Sequence, residues 1–219
     1  MAAAAAPPSP TPQPAGQIRV RVTLVQGDGA RRPAADAVAW LPGAPVAESA
    51  QPAGAPRIAQ QHKAFEPHVE VVSAGSTVAF PNFDRIYHNV FSLSEIARFD
   101  LGLYRNGASR SVTFAKPGVI RIYCNIHPSM SAFLVVVEGK AYAKTGADGT
   151  ALLPPVRPGT YRLSVWHERV GDLKTDVTVK PGVVTTVDVP LDASRWRPEA
   201  HKNKYGKDYP PPDDDQTRY

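Results

Sequence analysis

A cysteine, a histidine and a methionine crowd into Cys124-Asn-Ile-His-Pro-Ser-Met130; the cysteine is the chain's only one, and the only other methionine is Met1. A thiolate, an imidazole and a thioether on one short loop form a soft donor set. Such donors suit a metal that cycles between Cu(I) and Cu(II), whereas magnesium, calcium and manganese prefer oxygen ligands. A copper site built for electron transfer takes two histidines and one cysteine in a trigonal plane, with methionine as a weak axial ligand. The second histidine must come from elsewhere in the chain. His88, in Asp84-Arg-Ile-Tyr-His-Asn-Val-Phe-Ser92, is the best placed, because it opens an apolar strand and follows the turn-like Pro81-Asn-Phe-Asp84.

With these residues in view, the stretch from Phe65 to Glu138 resembles a small bacterial cupredoxin of the plastocyanin and amicyanin kind. The matching pieces run in family order: Phe65-Glu-Pro, Val69-Glu-Val-Val, Gly75-Ser-Thr-Val-Ala-Phe-Pro-Asn, Tyr87-His-Asn-Val, Phe99-Asp-Leu-Gly, then Pro117-Gly-Val-Ile-Arg-Ile-Tyr-Cys-Asn-Ile-His-Pro-Ser-Met. The Cys-x-x-His-Pro-x-Met spacing is similar to the short ligand loop of amicyanin. The resemblance implies one type 1 copper with His88, Cys124 and His127 as strong ligands and Met130 as the axial one. It also implies that Asn89 ties the two ligand-bearing loops together, and that His127 reaches the surface within an apolar patch including Pro128. The whole chain is similar to bacterial proteins named for methylamine utilisation, a name that describes gene neighbourhoods rather than chemistry. One departure from the amicyanin pattern stands out. Related loops commonly carry proline two residues after the cysteine, where this chain has Ile126. The Ile126 amide is therefore expected to donate a second hydrogen bond to the Cys124 thiolate, which would favour Cu(I).

Each residue has a plainer competitor. A lone cysteine on an apolar strand is usually an inert core residue. Structural zinc sites carry more thiolates or histidines and rarely a thioether. A cysteine nucleophile activated by His127 or His88 needs an oxyanion or orienting motif, and none stands out. Haem attachment through Cys-x-x-Cys-His is excluded by the single cysteine. His68 falls on the opposite face from Phe65, Pro67, Val69 and Val71, and reads as a surface or edge residue. His62, His167 and His201 read as solvated or structural.

The elements that must position the ligands are strands. Twenty-three prolines, 16 glycines and many Val and Thr residues predict short strands and frequent turns in an all-β chain. Strands are expected at Ile18 to Val25, Ala37 to Leu41, Val69 to Val72, Thr77 to Phe80, Val90 to Ser92, Ser111 to Phe114, Val119 to Cys124 and Ala132 to Val137, with a short turn at Ser94 to Phe99. Pro-Gly at 117–118, 158–159 and 181–182 reads as three tight turns before strands.

Beyond residue 138 the chain changes character. Ala141-Tyr-Ala-Lys-Thr-Gly-Ala-Asp-Gly-Thr-Ala-Leu-Leu and Pro158-Gly-Thr-Tyr-Arg-Leu-Ser-Val-Trp resemble the transthyretin-like sandwich called the carboxypeptidase regulatory-like domain. Alone this part would bury a marginal core, and its missing first strands resemble Ile18 to Leu41. The expected organisation is therefore nested. Residues 17–57 plus 139–192 form this second small sandwich, and a Greek-key cupredoxin sandwich, 58–138, is inserted between its halves. Residues 1–16 are an Ala/Pro-rich flexible stretch and 193–219 a tail; the linear alternative has the two sandwiches simply adjoining.

Function follows as an expectation. The chain should carry single electrons through Cu(I)/Cu(II) cycling in the periplasm and transform no substrate. Its partners would be redox proteins such as a cytochrome or dehydrogenase, with the net charge of +5 steering an acidic one. Copper delivery, or an interaction module with structural copper, would use the same ligands. The start lacks the charged and apolar regions of a signal peptide, and no apolar run is long enough to span a membrane. The tail is basic and aromatic before an acidic end, without a nucleic-acid-binding module; Trp196, Tyr205 and Tyr209 are expected to pack back on the sandwich or dock a protein.

Overall fold

The computed structural model describes residues 13–47, 54–198 and 201–209. Residues 1–12 of the flexible stretch expected over 1–16, and the acidic end of the tail, 210–219, lie outside these described residues. The chain runs β1 (Gln17–Val25), β2 (Arg31–Pro33), β3 (Val38–Trp40), β4 (Ala59–Gln61), β5 (Ala64–Glu66), β6 (Val69–Ser73), β7 (Ser76–Pro81), β8 (His88–Ser92) and β9 (Phe99–Tyr104). It continues through β10 (Ser109–Phe114), β11 (Gly118–Tyr123), β12 (Ser131–Val137), β13 (Tyr142–Lys144), β14 (Thr150–Leu152), β15 (Gly159–His167), β16 (Gly171–Val179) and β17 (Val184–Asp192). The described residues contain no helix, so the all-β expectation is met.

Alternation explains the first strand: Ile18, Val20, Val22 and Leu24 are buried while Arg19 and Arg21 face water, the period of two that a half-buried strand requires. β1 pairs in parallel with β17 and antiparallel with β14 and β2. A second sheet runs β13-β3-β15-β16. Between them lies one core that draws on Ile18 through Ala44 and on Ala141 through Leu191. The strands flanking β4 to β12 thus pair with each other, β3 with β13 and β1 with β17.

The intervening strands make a separate core. A five-stranded sheet, β6-β12-β11-β8-β9, faces the β7-β10 pair, and Ile58, Phe80, Val90, Ile120, Ile122 and Leu134 fill the space between. A third apolar cluster, with Val38 and Trp166 on one side and Val69, Val71, Val135 and Val137 on the other, joins the two units.

Register places the chemistry. β11 and β12 are antiparallel with Tyr123 opposite Ser131, so residues 124–130 are the hairpin loop between them. Tyr123 also lies opposite Phe91 of β8, which brings His88, the first residue of β8, to the same end of the sheet. Here the structure extends the expected strand back to His88 and ends β11 one residue before Cys124. The five-residue strand β8 is buried throughout. β9, which was not expected, covers its edge through His88↔Tyr104 and Asn89↔Leu103. Of the three Pro-Gly pairs, 181–182 makes a tight turn, in which Val183 N–H donates to the Lys180 carbonyl over 3.4 Å. Gly118 and Gly159 instead begin β11 and β15.

Candidate metal centre

The loop and the strand converge on one point. Cys124 Sγ lies 3.9 Å from His88 Nδ1 and 3.8 Å from His127 Nδ1, and the three donor atoms are within 4.8 Å of one another. Cys124 and His88 are fully buried and His127 is 7% exposed. Spacing tests the fit to a metal. With bonds of roughly 2.3 Å to sulfur and 2.05 Å to nitrogen, a tetrahedral angle separates S from N by roughly 3.6 Å, and a trigonal angle by roughly 3.8 Å. The two observed S···N spacings are of this size, so one ion can reach the sulfur and each ring nitrogen, and the soft sulfur-nitrogen set suits copper.

Met130 joins this site from the far end of the loop. Its side chain is 1% exposed and lies in the same core cluster as Cys124. Its amide donates to the His127 carbonyl over 3.0 Å, and its own carbonyl accepts from the Cys124 amide over 3.3 Å. These two bonds close the loop on itself.

His88 is oriented from behind. Its Nε2 lies 2.7 Å from Asp84 Oδ2, and the same carboxylate accepts the backbone N–H groups of His62 (2.7 Å) and Lys63 (2.9 Å). Burial is the largest influence on Asp84 and favours its protonated form. The Lys63 amide, His88 and the His62 amide together outweigh it and hold the carboxyl below its usual range. An ionised carboxylate only accepts, so His88 Nε2 carries the hydrogen, which leaves Nδ1, on the side of Cys124, as the ring nitrogen a metal would take. Asp84 itself is placed by Asn82, whose Oδ1 accepts the Asp84 amide over 2.9 Å and whose Nδ2 donates to the carbonyls of Ile86 and Tyr104.

His127 is tuned by its surroundings. Burial, then the neighbouring charges of His88 and Lys63, push its pKa down to about 4 against the opposing pull of Asp84. The ring is neutral at neutral pH and can offer a nitrogen lone pair.

Around these residues the expectations fare differently. His88, Cys124, His127 and Met130 come together. Asn89 does not bond the Cys124 loop directly: its Nδ2 donates to Asp100 Oδ1 over 2.6 Å, and its buried Oδ1 has no partner among the described residues. The Ile126 amide makes no hydrogen bond to Cys124 Sγ; the sulfur's polar contacts among the described residues are the two ring nitrogens. Pro128 is exposed beside the nearly buried His127, and its carbonyl is engaged by His201, with Nε2 at 2.7 Å. His68 is half-buried and pairs with Glu168 over 2.8 Å at the junction of the two units, so it is neither a ligand nor a free surface residue. Tyr209 does pack back, against the metal loop, whereas Tyr205 is 72% exposed. Sequence reasoning missed Asp84 as a partner of His88; the one available signal was its position four residues earlier, in the segment already read as a turn.

Comparison with known proteins adds the following. Residues 140–187 match a family model described as polysaccharide lyase family 4, domain II. That match covers less than half of the chain, and it differs in name from the carboxypeptidase regulatory-like expectation. No curated protein matches the chain. Among solved structures, a Cu(I) amicyanin variant is 24% identical over 45% of this chain and 97% of its own, with a TM-score of 0.36. A copper-containing nitrite reductase from Thermus scotoductus is 26% identical over 43% of this chain and 25% of its own, with a TM-score of 0.37. A purple cupredoxin from Nitrosopumilus maritimus is 22% identical over 37% of this chain and 98% of its own, with a TM-score of 0.34. The fold is all-β, with two β-sheet units that each fill their own core. Its chemistry rests on the donor geometry described above.

Proposed function

We propose that the protein is a periplasmic type 1 copper protein that carries single electrons and transforms no substrate. The observation that carries this reading is the convergence of one sulfur and two ring nitrogens, buried and close enough to share one ion. His88, Cys124, His127 and Met130 would hold the copper. When bound, the copper supplies a one-electron Cu(I)/Cu(II) couple. The chain's own part is to hold the donors still. β8 and the β11–β12 hairpin fix them in one sheet, Asp84 locks the His88 ring, and the closed loop limits rearrangement between the two copper states. Burial of Cys124 keeps water from the sulfur, while the residual exposure of His127 beside Pro128 marks the shortest route to a partner.

The nested organisation belongs to this reading. Residues 17–57 plus 139–192 form a transthyretin-like, carboxypeptidase regulatory-like sandwich interrupted by a cupredoxin at 58–138; the pairing of β1 with β17 and of β3 with β13 supports it. Partners are redox proteins such as a cytochrome or dehydrogenase, and the net charge of +5 favours acidic ones. Copper delivery draws on the same ligands, but full burial of Cys124 and His88, with Asp84 behind the ring, favours retention over transfer.

The test is the visible and EPR spectrum of the protein loaded with one equivalent of Cu(II), with Cys124→Ala as control. An intense thiolate-to-copper band with narrow copper hyperfine splitting, lost in the variant, is expected. Weak absorption with ordinary tetragonal copper signals would overturn the assignment.

A further inference from the structure

The C-terminal tail returns to the metal loop from a long way along the chain. Tyr209 O–H donates to the carbonyl of Cys124 over 2.7 Å. The His201 ring stacks on Tyr123 at 3.9 Å between centroids and 19° between planes, with its Nε2 2.7 Å from the Pro128 carbonyl. Tyr209 in turn meets the His201 ring edge-on at 5.2 Å. Between these two anchors, the Lys204 amide donates to Asn125 Oδ1 over 3.0 Å, and Lys204 Nζ bonds Asp100 Oδ2 over 2.8 Å. Asp100 is also the partner of Asn89. A continuous path therefore runs from Asn125 through Lys204 and Asp100 to Asn89, linking the loop that bears Cys124 and His127 to the strand that bears His88.

We propose that residues 201–209 are a clamp that positions the ligand loop, with Tyr209, His201 and Lys204 as positioning residues. Carbonyls and a side-chain amide of a hairpin loop have few partners within the hairpin, and here three of them, on Cys124, Asn125 and Pro128, are taken by the tail. Each bond removes freedom from a backbone that carries a donor atom, and preorganised donors are what a metal site with little rearrangement requires. The direct tie expected from Asn89 is thereby replaced by a tie through the tail. The consequence for copper rests on the metal reading above; the clamp on the loop does not.

The test therefore has a metal-free arm. In the full chain carrying Tyr209→Phe and His201→Ala, hydrogen-deuterium exchange of the metal-free protein is followed in peptides covering 124–130 and, for reference, β1 and β17. Loss of two hydrogen bonds and a stack should speed exchange in the loop about tenfold while leaving the reference strands unchanged. Unchanged loop exchange overturns the clamp. Faster exchange in the reference strands too would make the tail a general stabiliser and would equally overturn it. Tyr209→Phe alone, which keeps the ring and removes one donor, should show an intermediate effect. In the Cu(II)-loaded variant the thiolate-to-copper band should shift and copper should pass to a chelator severalfold faster. An unaltered band and unaltered release would overturn the role in ligand positioning. If neither the parent nor the variant forms a thiolate-copper band, the copper reading fails and the metal-free arm still decides the clamp.

Discussion

Asp84 Oδ2 sits 2.7 Å from Nε2 of His88, a fully buried ring whose other nitrogen faces Cys124. The carboxylate thus sets both the tautomer and the angle of a candidate ligand without touching the metal position. Removing such a partner typically costs about 10–100-fold in metal affinity. Asp84→Ala should weaken Cu(II) binding by that factor in a chelator competition; affinity equal to the parent's would show that His88 is held by packing alone.

The junction between the two units should be pH-sensitive through His68 and Glu168. The hydrogen bond to Glu168 is the main cause raising the His68 pKa above its ordinary 6.5, and the same bond is the main cause lowering that of Glu168 below 4.5. A raised histidine contributes stability below pH 6.5, lost as pH climbs through the raised value. A lowered carboxylate contributes above pH 4.5, lost as pH falls through the lowered one. The pair should therefore matter most between these two pH values. With side chains 42% and 27% exposed, solvent screening limits it to about 1 kcal/mol or less. The Tm gap between the parent and Glu168→Gln should be larger at pH 5.5 than at pH 8.5; a gap that grows with pH would refute the pairing.

Trp166 tests whether the two units are one folding unit. It is 5% exposed and packs on Phe133, 5.3 Å away across the junction. Trp166→Ala should cost about 3–5 kcal/mol in a denaturant melt. A loss under about 1 kcal/mol would mean that the junction contributes little to stability.

Gly149 immediately precedes the short strand β14 at a φ of +73°, and a Cβ there would lie 2.5 Å from the Val22 carbonyl oxygen and 2.9 Å from the Ala34 amide nitrogen. Both obstacles are backbone, so no side chain can swing aside. Gly149→Ala should destabilise by about 2 kcal/mol or more, read from the urea midpoint; an unchanged midpoint would show that the hairpin shifts freely.

What was legible beforehand follows from short covalent range. The spacing from Cys124 to Met130 places three donors on one loop whatever the fold, and residue chemistry alone points them toward a soft metal. Alternating or apolar runs such as Ile18 to Val25 revealed eight of the 17 strands among the described residues, because apolar side chains must share one face. The strands β2, β4, β5, β9, β13, β14 and β16 were not marked, since they lie at edges where pairing rather than pattern makes the strand.

The amino-acid sequence by itself determined the donor set, the all-β class and the register-bearing hydrophobic pattern, because these depend on residue type and local period. Only the tertiary structure decided which groups stand behind the donors. Asp84 meets His88 across a turn whose shape Asn82 imposes. Lys204 meets Asp100 over 104 positions of chain, and Tyr209 meets Cys124 over 85. Hydrogen bonds between residues so far apart leave no periodic trace in the sequence, since each depends on where two separately folded segments come to rest.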